Sequence, residues 1–230
     1  MTPPVPDASR LGVLRDLVAA YARRTPVRTI AVVGNAPLVA SDARADAIDA
    51  CDLVVRVNSF TTDEPGEPRA AGRRTDVVLW SRLVRATRRL YDDYPSRLYV
   101  MLEPMRMYHR PEVWPTSWPA DLGFVVAPND LVAQPLLEDL GLPWRTEALA
   151  PTSGTTAAWL ARRLFPDAAL LVTGLSYVAE DPQRWDYQSG ASGKIGPEHR
   201  VAAEGALLRG WIEDGSVRFW PSDRAHEEQR

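Results

Sequence analysis

The stretch from Arg28 to Asn58, RTIAVVGNAPLVASDARADAIDACDLVVRVN, decides the fold. It holds two short apolar runs, Ile30 to Val33 and Leu53 to Val57. Gly34 and Asn35 follow the first run, and Asn58 follows the second. Short β-branched runs bounded by Gly and polar residues read as buried strands, here Thr29–Val33 and Leu53–Val57. The segment between them, Asp42 to Ala50, carries Ala43, Ala47 and Ile48 and reads as a short helix. Strand, turn, helix, strand is the opening of a parallel α/β sheet. Ligands of such sheets bind outside the carboxyl ends of the strands. Asn35 and Asn58 both stand at that edge, and a nucleotide is the expected occupant.

The rest of the chain continues the alternation. Ser9 caps a helix expected to run to about Arg24, with Leu11, Leu14, Val18 and Tyr21 on one face and Leu17 beside them. Its frequent charges make it a docking helix, not a membrane one. Further strands are expected at Asp76–Trp80, Arg97–Leu102, Gly123–Val126 and Ala169–Thr173, with an edge strand at Val217–Trp220. Helices are expected over Leu83–Tyr91 and from Asn129 or Asp130 to about Leu140. Another runs from Thr152 or Ser153 to Leu164, where Pro166 stops it. The last starts with Pro197 in its first turn and ends at Gly215. Residues 61–75, TTDEPGEPRAAGRRT, read as a loop over the sheet edge. Residues 103–119 form a long loop with Tyr108, His109, Trp114 and Trp118, which line an acceptor site or pack beneath the loop. One α/β domain is expected over 9–222, between disordered ends at 1–8 and 223–230.

The bulk properties exclude several classes. The chain has 230 residues, 45% hydrophobic and 25% charged, enough for one α/β core. A net charge of −3 gives no electrostatic case for nucleic acid. Cys51 is the single cysteine, so no intrachain disulfide forms. The N-terminus lacks the apolar run of a signal peptide, and nothing approaches a membrane span. A soluble cytoplasmic protein is expected, with a composition suggesting a GC-rich bacterial genome. No D-x-D and no His ligand spacing occurs, so no metal is expected.

Two stretches carry chemistry. Thr152, Ser153, Gly154 and Thr155 precede or open a helix, which offers free amides, hydroxyls and the positive dipole end to an anion. The same residues serve equally well as plain helix caps. His199 is a base by residue type, since its unperturbed pKa lies near ~6.5. Glu204 lies five residues further on, about 140° round a helix. The two do not share a face, so Glu204 orders the helix or a neighbouring loop. Arg56, on a buried strand, needs a carboxylate partner. Arg73 and Arg74 are solvated loop residues or contacts for an anionic ligand.

The ordered set of motifs resembles the sialyltransferases of glycosyltransferase family 29. VVGN at 32–35, ID at 48–49, Asp52, Arg56, Asn58 and GRRTD at 72–76 are similar to that family's large motif. PTSG at 151–154 with the later Gly174 resembles its small motif, and His199 with Glu204 its very short H-x-x-x-x-E motif. The resemblance implies a Rossmann-like GT-A variant fold, a CMP-sugar donor and inverting transfer to a hydroxyl acceptor without a metal or other cofactor. It further implies that Gly34, Asn35, Asn58, Thr152, Ser153, Gly154, Thr155 and Gly174 meet the donor, and that His199 is the base. Arg56, Arg74, His109 and Glu204 would support the site or the acceptor. Trp185 stands where a family His that holds the donor phosphate would fall, and Tyr187 is the candidate to replace it. The two bridging cysteines of animal members are absent. Two other readings share the pocket: a tailoring enzyme or hydrolase of CMP conjugates, and a non-catalytic nucleotide-binding protein.

Overall fold

A computed structural model describes residues 7–81, 88–102, 119–180 and 182–222. Seven strands form one sheet: β1 (Thr29–Val33), β2 (Leu53–Val57), β3 (Val77–Trp80), β4 (Leu98–Met101), β5 (Phe124–Val126), β6 (Ala169–Thr173) and β9 (Val217–Trp220). Their order is β5-β4-β3-β2-β1-β6-β9, and every pairing is parallel. A two-stranded hairpin, β7 (Arg184–Asp186) and β8 (Ser192–Lys194), stands apart. The helices are α1 (Asp7–Ala19), α2 (Asp42–Ala50), α3 (Arg88–Tyr91), α4 (Ala133–Asp139), α5 (Ser153–Leu164) and α6 (Val201–Glu213).

Strand alternation sorts the core onto two faces. Ile30, Val32, Leu53, Val55, Leu170 and Val172 point to one side, where they meet Leu14 and Val18 of α1 and Trp159, Leu160 and Leu164 of α5. Ala31, Val33, Val54 and Leu171 point to the other, against Ile48 of α2 and Cys51. Further along that face Val78, Trp80, Tyr99 and Met101 pack on Phe60 and Leu90. Strands covered on both faces read as continuous apolar runs, which is why β1, β2 and β6 have the bounds expected from the sequence. Among the described residues, no helix is long and apolar enough to cross a membrane.

The chain adds strands outward from β1 to β5, then returns to the other side of β1 with β6 and β9. The reversal point is built from glycine. The Gly34 amide donates to Thr173 O at 2.9 Å and the Ala36 amide to Gly174 O at 3.0 Å. A Cβ on Gly34 would lie 2.1 Å from Gly174 O, and one on Gly174 would lie 2.7 Å from Gly34 O. Gly174 also has φ +70°, where an L side chain is strained. The two strand ends therefore cross with almost no separation, opening a crevice at the carboxyl edge on either side.

The loop at 61–75 is an ordered strap. Asp63 accepts from the amides of Ala70, Ala71 and Gly72 at 2.9, 2.9 and 2.8 Å. Arg56 is fully buried, and its guanidinium donates to Arg74 O, Thr75 Oγ1, Ala71 O and Gly72 O at 2.8–3.2 Å. The expected carboxylate partner is thus replaced by a cage of carbonyls, and burial lowers the guanidinium pKa to about 10. Arg44 of α2 is fully buried in the same manner, donating to Ala70 O, Val39 O and Pro221 O. Arg74 also turns inward, to Asp49 O, Cys51 O and the Asp76 carboxylate.

Other expectations shift. The first helix ends at Ala19 rather than Arg24. The helix after Asn129 starts at Ala133, since Asp130 is drawn away to Arg10 by paired 2.9 Å bonds. Pro197 lies outside α6, which begins only at Val201. Most of the expected 83–91 helix, and the 103–118 loop with Tyr108, His109, Trp114 and Trp118, lie outside the described residues.

Two stability outcomes follow from the close approach and the cage. Gly174→Ala should cost about 2–4 kcal/mol through overpacking and left-handed strain, lowering Tm by roughly 5–15 °C. Gly210→Ala, where a Cβ meets nothing within 4 Å, should be neutral or slightly stabilising in the same thermal melt. Arg56→Met should cost about 3–5 kcal/mol and open the strap, seen as faster tryptic cleavage after Arg69 and Arg73.

Candidate active site

A cavity of about 320 Å³ lies at the carboxyl ends of the strands. The floor is Asn35 after β1, Asn58 after β2 and Ser81 after β3; the start of α5 and the turn at His199 form the walls. Trp185 and Tyr187 of the hairpin close one side. That volume is within the usual range for a small-molecule site.

The two asparagines are held differently. The Asn35 side-chain amide donates to Val57 O at 2.8 Å, which fixes the orientation of the group, because a carbonyl only accepts. Asn35 Oδ1 is buried in the cavity lining without a partner among the described residues. A buried acceptor without a donor is costly, so this atom suits a ligand hydroxyl or amino group. Asn58 takes a left-handed conformation, φ 50°, which Asn tolerates. Its Nδ2 donates to Ser153 Oγ at 3.1 Å and its Oδ1 accepts the Ser81 amide at 3.1 Å. Asn58 thereby ties the ends of β2 and β3 to the first residue of α5.

Thr152 caps α5: its hydroxyl accepts the Thr155 amide at 3.2 Å. The amides of Ser153 and Gly154, the next two at the helix start, have no partner among the described residues, and both residues line the cavity. Two such amides at the positive end of a helix dipole are the donor arrangement that suits an anion. Thr155 is not part of that surface. It is fully buried, its amide is taken by Thr152, and its hydroxyl meets Tyr177 OH at 2.9 Å. Gly34 does not line the cavity either; its part is the crossing with Gly174, which does.

His199 sits in the turn before α6. Its Nδ1 lies 2.8 Å from Ala150 O. Because the carbonyl can only accept, Nδ1 carries the proton and Nε2 of the neutral ring keeps its lone pair. The Glu198 carboxylate is 3.7 Å from Nε2 and would stabilise the ring once it takes a proton. Trp185 packs edge-on against the His199 ring, with centroids 6.2 Å apart.

Glu204 is buried behind the start of α5. Its carboxylate accepts the Thr152 amide at 3.0 Å and the Thr152 hydroxyl at 2.5 Å. It therefore acts on the cap, away from the His199 ring. Tyr187 faces the cavity from the hairpin, its hydroxyl pKa raised by burial. The hairpin tip is pinned down by the Gln188 amide, 2.8 Å from Asn35 O, and by Thr61 Oγ1, 2.5 Å from Gln188 Oε1. Arg56 and Arg74 hold the strap and lie outside the cavity lining; His109 is outside the described residues. Sequence reasoning missed Tyr177, Glu198 and the whole hairpin. The one local signal for the hairpin was the Gly-containing turn Tyr187–Ala191.

No protein-family model matches the chain, and no curated protein matches it in sequence. Solved structures do match. A mammalian sialyltransferase is 13% identical, with a TM-score of 0.61 over 97% of this chain and 82% of that one. A mammalian sialyltransferase in complex with Gal-beta-1-3GalNAc-ortho-nitrophenol is 12% identical, with a TM-score of 0.58 over the same shares. At this identity the likeness is one of architecture: the chain has the fold of these sialyltransferases.

Proposed function

We propose that the chain is a glycosyltransferase of the sialyltransferase type, moving sialic acid or a related keto-sugar acid from a CMP donor to a hydroxyl acceptor. The observation that carries this reading is the pairing, in one cavity, of two unpartnered helix-start amides with a histidine whose Nε2 is free to accept a proton. The fold shared with sialyltransferases supports it.

In this reading the donor phosphate rests on the amides of Ser153 and Gly154, with Ser153 Oγ beside them. The Asn35 Oδ1 acceptor takes a hydroxyl or amino group of the cytidine. The acceptor oxygen attacks the anomeric carbon as the bond from that carbon to the phosphate oxygen breaks, and His199 Nε2 takes the acceptor proton. One displacement inverts the anomeric centre. Charge growing on the departing CMP is met by fixed amides rather than a metal, which need not reorganise as the bond breaks. Nδ1, bonded to Ala150 O, keeps the ring in the tautomer the step requires.

The test is CMP release from CMP-sialic acid, with and without a hydroxyl acceptor. His199→Ala should lower acceptor-dependent release by roughly a hundredfold or more while CMP still raises Tm. Release that survives the substitution would remove His199 as the base. Release independent of any acceptor would favour a hydrolase, and CMP binding without release a nucleotide-binding protein.

A further inference from the structure

Tyr177 belongs to none of the motifs above, yet it occupies the junction between the anion-binding turn and the base. It follows β6, is buried, and lines the cavity. Its hydroxyl lies 2.8 Å from Thr152 Oγ1 and 2.9 Å from Thr155 Oγ1. Its ring meets Trp185 edge-on, with centroids 6.0 Å apart, and Trp185 in turn meets His199.

The directions of these bonds can be worked out. The Glu204 carboxylate only accepts, so the Thr152 hydroxyl proton goes to it. Thr152 Oγ1 is then an acceptor, for the Thr155 amide and for the Tyr177 hydroxyl. The Tyr177 oxygen, having donated to Thr152, accepts from the Thr155 hydroxyl. The phenol stays protonated to do this, since burial and the nearby Glu204 both push its pKa far up. The result is a chain from Thr155 to Tyr177 to Thr152 to Glu204, closed on itself where Thr155 Oγ1 also lies 3.1 Å from Thr152 Oγ1. Chains of this kind, fully satisfied and buried, rigidify their members. What this one rigidifies is the cap that consumes the Thr155 amide and leaves those of Ser153 and Gly154 to the cavity.

We infer that Tyr177 is a positioning residue, acting through Thr152 to hold the anion-binding turn in its phosphate-ready form. The inference rests on the proposed CMP site, and the probes separate the two. Titration calorimetry with CMP and with cytidine reads the phosphate contribution as the ratio of the two affinities. Wild-type protein should prefer CMP. Tyr177→Phe keeps the ring against Trp185 and deletes only the hydroxyl. It should lower the CMP-to-cytidine ratio by roughly two- to tenfold, the size of one neutral hydrogen bond, with cytidine affinity unchanged. Thr155→Val breaks the same chain one step earlier and should do the same. The double variant should lose little more than either alone, because both act on one unit. A ratio that stays at the wild-type value in both single variants, whatever their Tm, would overturn the inference. Wild-type protein that binds neither ligand would overturn the CMP reading itself and the inference with it.

Discussion

Glu204 accepts the amide and the hydroxyl of Thr152 from behind the start of α5. It is the innermost part of a clamp between residues 150–152 and the segment that carries His199. The Ala150 amide donates to Glu198 O at 3.1 Å, and Ala150 O receives His199 Nδ1 at 2.8 Å. At the rim Arg200 pairs with Glu147 at 2.7 Å. These bonds tie the imidazole and the helix-start amides to each other directly. In the proposed reaction a base and a phosphate site work together only at a set distance, and the clamp would provide that setting. It also gives the His-to-Glu spacing a physical meaning. One residue faces the cavity and the other secures the cap, which is why they need not share a helix face.

The sheet supplies the platform. The glycine crossing between Gly34 and Gly174 brings the ends of β1 and β6 together. Asn35 and α5 then reach the same crevice from opposite sides of the reversal point. The strap at 61–75 bounds this edge. Amides of the strap donate to Asp63 and Asp49 and its carbonyls accept from Arg56 and Arg44, a division that satisfies an irregular segment without secondary structure. The hairpin of β7 and β8 docks on the strap and on β1 through Gln188, adding Trp185 and Tyr187 to the wall.

Much of this was legible in the sequence wherever a single local rule decided the outcome. Buried parallel strands are continuous apolar runs, so β1, β2 and β6 could be read to the residue. Thr152 announced the start of α5, and Asn35 and Asn58 announced the carboxyl edge. What was not legible depended on long-range partners. A lone Arg on a strand predicts a carboxylate, but the partners of Arg56 are carbonyls of a loop 15 or more residues away in sequence. Thr155 looked equivalent to Ser153 because both stand at the helix start, yet two residues further on, about 200° round the helix, it turns into the protein. Tyr177 carried no pattern at all; its role exists only because β6 delivers it beneath the cap. The hairpin's strands are three residues each, too short to show alternation against their background.

The proposed site stands or falls on whether the amides of Ser153 and Gly154 receive a nucleotide phosphate. The most direct measurement is a titration of isotope-labelled protein with CMP, followed by amide proton–nitrogen chemical shifts. The Ser153 and Gly154 resonances should move furthest, downfield in the proton dimension, and move far less with cytidine. CMP that binds while those two amides stay in place would contradict it.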